Sequence, residues 1–278
     1  MSGRLGLIGD PVAHSISPEI QQPALDALGI NAIYELWHTK SADLEKRINA
    51  LKLPGVMGAN VTVPHKQAVI PFLDTLSETA KRAGAVNTIV PRDGSLHGDN
   101  TDVYGLTRSL RERGIQSPGF QAIVLGAGGA ARASLLALEQ LEAASVTVVN
   151  RTVQRAEDLA IQFSKMDVRA RSAGDLLADP ALSAASVLIN ATSIGWTVGE
   201  MPIHSSVLDR LASPCLVFDL TYRDTPLLIE ARKRDLQTLD GLPMLVLQGA
   251  QAFELWTGLR APVDLMMERG MEARAARS

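Results

Sequence analysis

Gln121-Ala122-Ile123-Val124-Leu125-Gly126-Ala127-Gly128-Gly129-Ala130-Ala131 is an apolar run that breaks into glycines and resumes with helix formers. The run Gln121–Leu125 reads as a buried strand, and the stretch from about Ala130 to Leu141 as a helix. The turn between them fits Gly-x-Gly-x-x-(Gly or Ala), with Ala131 in the last place. Glycines allow the tight turn and let the backbone approach a pyrophosphate, and a helix start offers free N–H groups and a positive dipole end. Gly126, Ala127, Gly128, Gly129 and Ala130 are therefore candidate cofactor contacts. The plain alternative is a strand–helix turn with convenient glycines.

The next strand sharpens this reading. Ser145–Asn150 ends in Asn150-Arg151-Thr152, with Arg155 shortly after. NAD enzymes place an acid here for the ribose 2′-hydroxyl, and an acid would repel a 2′-phosphate. Two guanidinium groups and a hydroxyl bind such a phosphate by charge-assisted hydrogen bonds. The pattern favours NADP, with Asn150, Arg151, Thr152 and Arg155 around the phosphorylated ribose. The alternative for the two arginines is ordinary solvated helix charge.

Outward from this turn, short apolar runs alternate with helical stretches, which predicts an α/β fold with mainly parallel strands. Strands are predicted at Leu5–Ile8, Ala32–Trp37, Gly58–Val63, Val86–Val90, Ser95–Leu96, Ser186–Asn190 and Cys215–Asp219. Ser17-Pro18 predicts a helix start with Ser17 as cap and proline in the first turn, ending at Gly29. Ser41–Leu51, about Thr101–Arg113 and Pro243–Gly258 read as further helices, and Glu268–Ser278 as a solvated helical end. Gly114 and Ser117-Pro118-Gly119 break the chain before the glycine-rich unit. Two domains follow: residues 1–101, completed by helices from about 241 to 278, and a Rossmann-type doubly wound unit over 102–240.

The totals fit this plan. The chain has 278 residues, 46% hydrophobic and 21% charged, enough for packed cores in one large or two ordinary domains. A net charge of −3 without a basic tract argues against nucleic acid or an anionic membrane as partner. Cys215 is the single cysteine, so no internal disulfide forms. No signal-type run or membrane-length apolar segment occurs, and a reducing cytoplasm is expected. No His/Cys/Asp/Glu cluster has metal-ligand spacing, so no metal is expected.

Asn60-Val61-Thr62-Val63-Pro64-His65-Lys66 ends a strand and enters a helix, and Asn100-Thr101-Asp102 opens the long helix. Alone, Lys66 reads as surface charge and Asp102 as a first-turn acid complementing the helix dipole. Together with Gly9-Asp10-Pro11 and His14-Ser15-Ile16-Ser17-Pro18, Gly84-Ala85-Val86-Asn87-Thr88, Gly98–Asp102 with Gly105, and Asp240-Gly241-Leu242 leading to Gln248, the set resembles the shikimate dehydrogenase pattern. Order and spacing match over nearly the whole chain.

The resemblance implies an NADP-dependent enzyme that interconverts 3-dehydroshikimate and shikimate in chorismate and aromatic amino acid biosynthesis. It implies that Ser15 and Ser17 bind the substrate carboxylate, with Tyr222 nearby, and that Thr62, Asn87, Asp102 and Gln248 hold the ring hydroxyls. Lys66 and Asp102 become the catalytic pair. Glu78 and Gly241 fall on the nicotinamide side of the cofactor, and Leu220 lines it. A carboxylate beside lysine favours the ammonium, so Lys66 is read as the acid in ketone reduction.

Alternative readings of single residues remain: Ser17 as a helix cap, Asn87 as a turn residue, Tyr222 as a core aromatic with a wet hydroxyl. His14 and His65 receive no catalytic role. Two departures from the family pattern stand out. Gln21-Gln22-Pro23 replaces a more usual His-Asn pair, and Pro23 predicts a kinked or shortened helix. Pro243 follows Gly241-Leu242 in place of a more usual glycine, stiffening that turn. Rival functions are a quinate/shikimate dehydrogenase, a non-catalytic NADP-binding protein on the same scaffold, and a methylene-folate dehydrogenase. A monomer or homodimer with a small-molecule substrate is expected.

Overall fold

In the computed structural model, which describes residues 2–195 and 199–277, the chain forms two compact units. One comprises Met1–Gly105 with Leu245–Ser278, the other Leu106–Met244. Along the first run of chain lie β1 (Gly3–Gly9), α1 (Ser17–Ala27), β2 (Ala32–His38), α2 (Leu44–Asn49), β3 (Val56–Val61), β4 (Thr75–Leu76), α3 (Glu78–Ala83), β5 (Thr88–Arg92), β6 (Ser95–Asp99) and α4 (Asp102–Glu112). Then come β7 (Gln121–Leu125), α5 (Gly129–Gln140), β8 (Ser145–Val149), α6 (Val153–Ala160), β9 (Asp167–Arg171), α7 (Ala181–Ala184), β10 (Ala185–Asn190), β11 (Leu216–Asp219), α8 (Pro226–Arg232), β12 (Gln237–Leu239), α9 (Leu242–Thr257) and α10 (Val263–Ala275).

The first unit is built on a six-stranded sheet in the order β2-β1-β3-β5-β6-β4. It is mixed rather than all parallel: β3 pairs antiparallel with β5, and β5 pairs antiparallel with β6 through a hairpin at Asp93-Gly94 that sets Arg92 opposite Ser95. Ile8, Trp37, Ala59, Val61, Val86 and Ile89 bring their side chains into one core with Ile48 and Leu51. Leaving each large side chain in water instead would cost about 1.5–3 kcal/mol.

The second unit is a six-stranded sheet in the order β12-β11-β10-β7-β8-β9, every pairing parallel. The order reverses at β7, so the chain winds first to one side and then to the other, which is the doubly wound Rossmann arrangement. Strands covered on both faces are apolar throughout, as Ala122–Leu125 and Val187–Ile189 are.

Four local expectations are corrected. Ser17 is not the cap of α1 but its first residue; the cap position is Ile16, without a side-chain bond. Ser15 takes the capping task, its Oγ accepting from the Ser17 N–H at 3.2 Å, because a turn from Ser15 N–H to the Val12 carbonyl folds Ser15 back over the helix start. Pro23 does not shorten α1, which continues to Ala27. The stretch Ser41–Leu51 is not one helix: three-residue 3₁₀ turns at Ser41–Asp43 and Ala50–Lys52 flank α2. The segment from Glu268 is not merely solvated, since it continues α10, which packs on α1, and Gly270 within it is buried.

Candidate active site

Lys66 lies just beyond β3, after a turn in which the His65 N–H donates to the Thr62 carbonyl at 2.9 Å. Its Nζ donates to Oδ2 of Asp102, the first residue of α4, at 2.6 Å. The lysine side chain is 28% exposed and the carboxylate 10%, so the pair is shielded yet reachable by solvent from the lysine side. The second carboxylate oxygen, Oδ1, accepts from Nδ2 of Asn87 at 2.8 Å. Asp102 is thus fixed from two directions.

Asn87 is the hub of the site. It is 2% exposed and immediately precedes β5. Its Nδ2 also faces Thr101 Oγ1 at 3.0 Å and Gln248 Oε1 at 3.1 Å, while its Oδ1 accepts from the Thr101 N–H at 2.7 Å. The backbone bends at Asn87, and its side chain is fully engaged in these contacts. Gln248 sits on the apolar helix α9 and finds the partners that a polar group there requires, with Thr101 Oγ1 at 3.3 Å from its Oε1.

A second line of buried hydrogen bonds lies behind this hub. The Tyr34 hydroxyl on β2 donates to Asn60 Oδ1 at 2.8 Å, and Asn60 Nδ2 reaches the Asn87 carbonyl at 3.2 Å and Thr88 Oγ1 at 3.3 Å. Burial pushes the Tyr34 phenol up, against the opposing effect of the neighbouring Ser17 hydroxyl, so it remains a donor. Ser17 in turn receives the Ser15 hydroxyl at 2.9 Å. Ser15, Ser17, Asn87, Asp102, Lys66 and Gln248 therefore belong to one unit and one polar neighbourhood. Thr62 is half-buried at the end of β3, its N–H donating to the Ile8 carbonyl at 2.8 Å. His65 is buried and turns Nε2 to the Thr39 carbonyl at 2.6 Å.

In the second unit the glycine-rich turn stands where the pattern placed it. Gly126 has φ +104°, and a Cβ there would come within 3.1 Å of Thr192 and 3.2 Å of the Ala191 carbonyl, so only glycine fits. Gly128 caps α5 with no side-chain bond, and a Cβ on Gly128 or Gly129 would meet nothing within 4 Å. Uncapped helix N–H groups facing open space fit a dinucleotide pyrophosphate. Ala127 and Ala130 flank this space, half-buried and exposed respectively.

Asn150 follows β8 and donates from Nδ2 to the Thr152 carbonyl at 2.9 Å, and Thr152 is the cap residue of α6. Arg151 and Arg155 are exposed, and no described carboxylate pairs with either, so both guanidinium groups are available to an anion. Leu220 and Tyr222 are half-buried just past β11, beside Gly241, whose N–H donates to the Thr221 carbonyl at 3.1 Å. Glu78 belongs to the first unit and is exposed in the first turn of α3. Beneath Leu220 the fully buried Asp219 accepts from Asn190, Thr221 and Thr225 at 2.8–3.0 Å. Burial pushes its carboxyl up, and these donors oppose the shift.

Comparison with known proteins agrees with this arrangement. Family models match in order along the chain: the shikimate dehydrogenase substrate binding domain over residues 7–89, shikimate/quinate 5-dehydrogenase over 111–241, and the shikimate 5′-dehydrogenase C-terminal domain over 241–269. Shikimate dehydrogenase (NADP(+)) of Symbiobacterium thermophilum is 44% identical, with 97% of this chain and 94% of that protein covered. The chain belongs to the shikimate dehydrogenase family.

Solved structures of the family carry the same fold. Shikimate dehydrogenase from Aquifex aeolicus superposes with a TM-score of 0.88 at 35% identity, covering 97% of each chain. Shikimate 5-dehydrogenase from Thermus thermophilus, in complex with NADP(H) and shikimate, gives 0.86 at 37% identity, covering 98% of this chain and 99% of that one. Among the described residues, no group of three or more His, Cys, Asp or Glu residues is placed to hold a metal, and no helix is long and apolar enough to cross a membrane.

Within this family frame, Tyr34, Asn60, Thr88 and Thr101 are site-supporting residues that the sequence did not single out, and Asn190 and Asp219 are their counterparts in the second unit. Their signal was available in part: Asn60 is the penultimate residue of β3 and Asn190 the last of β10, each after a run of mostly apolar residues. Such groups are buried only with partners.

Proposed function

We propose that this chain is an NADP-dependent shikimate dehydrogenase that reversibly reduces 3-dehydroshikimate to shikimate in chorismate and aromatic amino acid biosynthesis. The observation that carries this reading is the Lys66–Asp102 pair, 2.6 Å apart and braced by Asn87, in a chain of this family.

In this reading Ser15 and Ser17 take the substrate carboxylate with Tyr222, and Thr62, Asn87, Asp102 and Gln248 hold the ring hydroxyls. Bound NADPH supplies the hydride to the ketone carbon. The ketone oxygen gains negative charge as the carbon–hydrogen bond forms, and the Lys66 ammonium stabilises that charge and gives up a proton to it. Asp102, locked by Asn87, holds the ammonium in place. Lys66, partly exposed, takes a proton back from solvent. Oxidation of shikimate runs these transfers in reverse.

The cofactor is held, in the same reading, by Gly126, Ala127, Gly128, Gly129 and Ala130 at the pyrophosphate, by Asn150, Arg151, Thr152 and Arg155 at the phosphorylated ribose, and by Glu78, Leu220 and Gly241 near the nicotinamide. The setting is the cytoplasm, with the protein a monomer or homodimer. Purified protein should consume NADPH on addition of 3-dehydroshikimate, and should oxidise shikimate with NADP in preference to quinate or NAD. Faster turnover of quinate would move the assignment to the quinate/shikimate branch of the family, and no turnover of either would remove it.

A further inference from the structure

The segment between β1 and α1 that carries Ser15 has no regular structure beyond its short turn. Within it the Ser15 N–H donates to the Val12 carbonyl, and Ser15 Oγ accepts from the Ser17 N–H and donates to Ser17 Oγ, which orients the two hydroxyls. A feature from the other end of the sequence closes over this corner. Just beyond α10, Arg277 donates from Nη1 to the carbonyl of His14 at 2.7 Å, and its Nη2 pairs with Oε1 of Glu19. One guanidinium thus holds the residue before Ser15 and the first turn of the helix that Ser17 opens.

The pairing is more than a decoration of the surface. Arg277 pairs with Oε1 of a partly exposed Glu19 carboxylate whose other oxygen, Oε2, is buried without a hydrogen-bond partner among the described residues. The α10 helix that delivers the arginine is packed on α1. The planar fork of arginine reaches two acceptors at a fixed angle, which a lysine ammonium on its single stem does not reproduce.

We propose that Arg277 is a positioning residue: it ties the His14 backbone to Glu19 and so presets the Ser15 and Ser17 hydroxyls for a substrate carboxylate. The functional half of this inference rests on the reading of those serines given above. The ion pair is partly exposed, so the effect is modest, about a three- to tenfold rise in KM for shikimate when it is lost.

Arg277→Ala, Arg277→Lys and Glu19→Gln test it in the full-length protein. Arg277→Ala should raise the KM for shikimate by that factor, leave kcat within about twofold and leave the KM for NADP unchanged. Arg277→Lys should recover less than half of the loss, and Glu19→Gln should weaken shikimate in the same direction. Amide hydrogen exchange should quicken at residues 12–17 in Arg277→Ala and nowhere in the second unit. An unchanged KM, or equal losses in kcat and in both KM values, overturns the proposal. If the wild-type protein turns over neither shikimate nor 3-dehydroshikimate, it is the functional reading that fails, and the exchange rates at residues 12–17 still decide whether Arg277 holds the corner.

Discussion

Nζ of Lys66 and Oδ2 of Asp102 stand 2.6 Å apart, although 36 positions separate the residues along the chain. The contact exists because β3 and α4 deliver the two groups to the same place, and Asn87 fixes the remaining carboxylate oxygen. In the proposed mechanism Lys66 is the proton donor, and Lys66→Ala removes it. We expect kcat to fall by about 10²–10⁴-fold, the range for a lost general acid. NADPH binding, measured by fluorescence titration, should change little, and a matching loss of NADPH affinity would give Lys66 a structural role instead.

Among the described residues, Arg151 and Arg155 have no carboxylate partner beyond β8. If they hold a ribose phosphate, Arg151→Ala should raise the KM for NADPH by about 10–100-fold, the loss of one charge-assisted hydrogen bond. The KM for NADH should stay within about twofold, since NADH lacks the phosphate. Parallel losses with both cofactors would show that Arg151 serves the fold of the turn rather than the phosphate.

How much of this was legible in the sequence depended on apolar periodicity. The central strands β7, β8 and β10 are covered on both faces and so are mostly apolar runs, with Thr147 the one buried polar residue inside β8. The edge strand β9, Asp167-Val168-Arg169-Ala170-Arg171, is half exposed and mostly polar, and β4 and β12 are too short to show any period. At the site, Lys66 and Asp102 were legible because each sits in a compact motif. Tyr34 was not, because it alternates properly within β2 and only the folded sheet brings its hydroxyl to Asn60. The misplaced cap has a similar cause: Ser17 has the right chemistry, but Ser15 has the geometry.

Tyr34→Phe tests the buried line behind Asn87. The ring remains, but Asn60 Oδ1 loses its donor inside the core. A loss of about 1–3 kcal/mol of stability is expected for one buried acceptor left unpaired. Urea unfolding measures it through a lower midpoint at unchanged slope. A midpoint equal to wild type would mean that Asn60 finds another donor.

Two glycines on the second unit separate cofactor space from packing. A Cβ on Gly128 meets nothing within 4 Å, so Gly128→Ala should leave the melting temperature nearly unchanged while weakening NADPH, because the methyl enters the space over the helix start. A Cβ on Gly241 would lie 2.1 Å from the Leu220 carbonyl oxygen, so Gly241→Ala must displace backbone. Overpacking of this kind costs about 1–3 kcal/mol, and thermal unfolding should show it with or without cofactor. Equal melting temperatures for the two variants would contradict this division.

Cys215 gives a pH-resolved test of the second core. The thiol is 1% exposed, and burial pushes it up to about 12. A pKa raised on folding means that the thiol favours the native state fully below its ordinary value of 9.0 and loses that contribution as pH climbs through about 12. At about pH 8 the native thiol is therefore neutral and shielded, and it should not react with a disulfide reagent over hours, since the thiolate is the reactive form. In urea the same reagent should label one thiol per chain, with a midpoint matching the loss of helix signal. Rapid labelling of native protein at that pH would show that the β10–β11 core opens locally, well short of global unfolding.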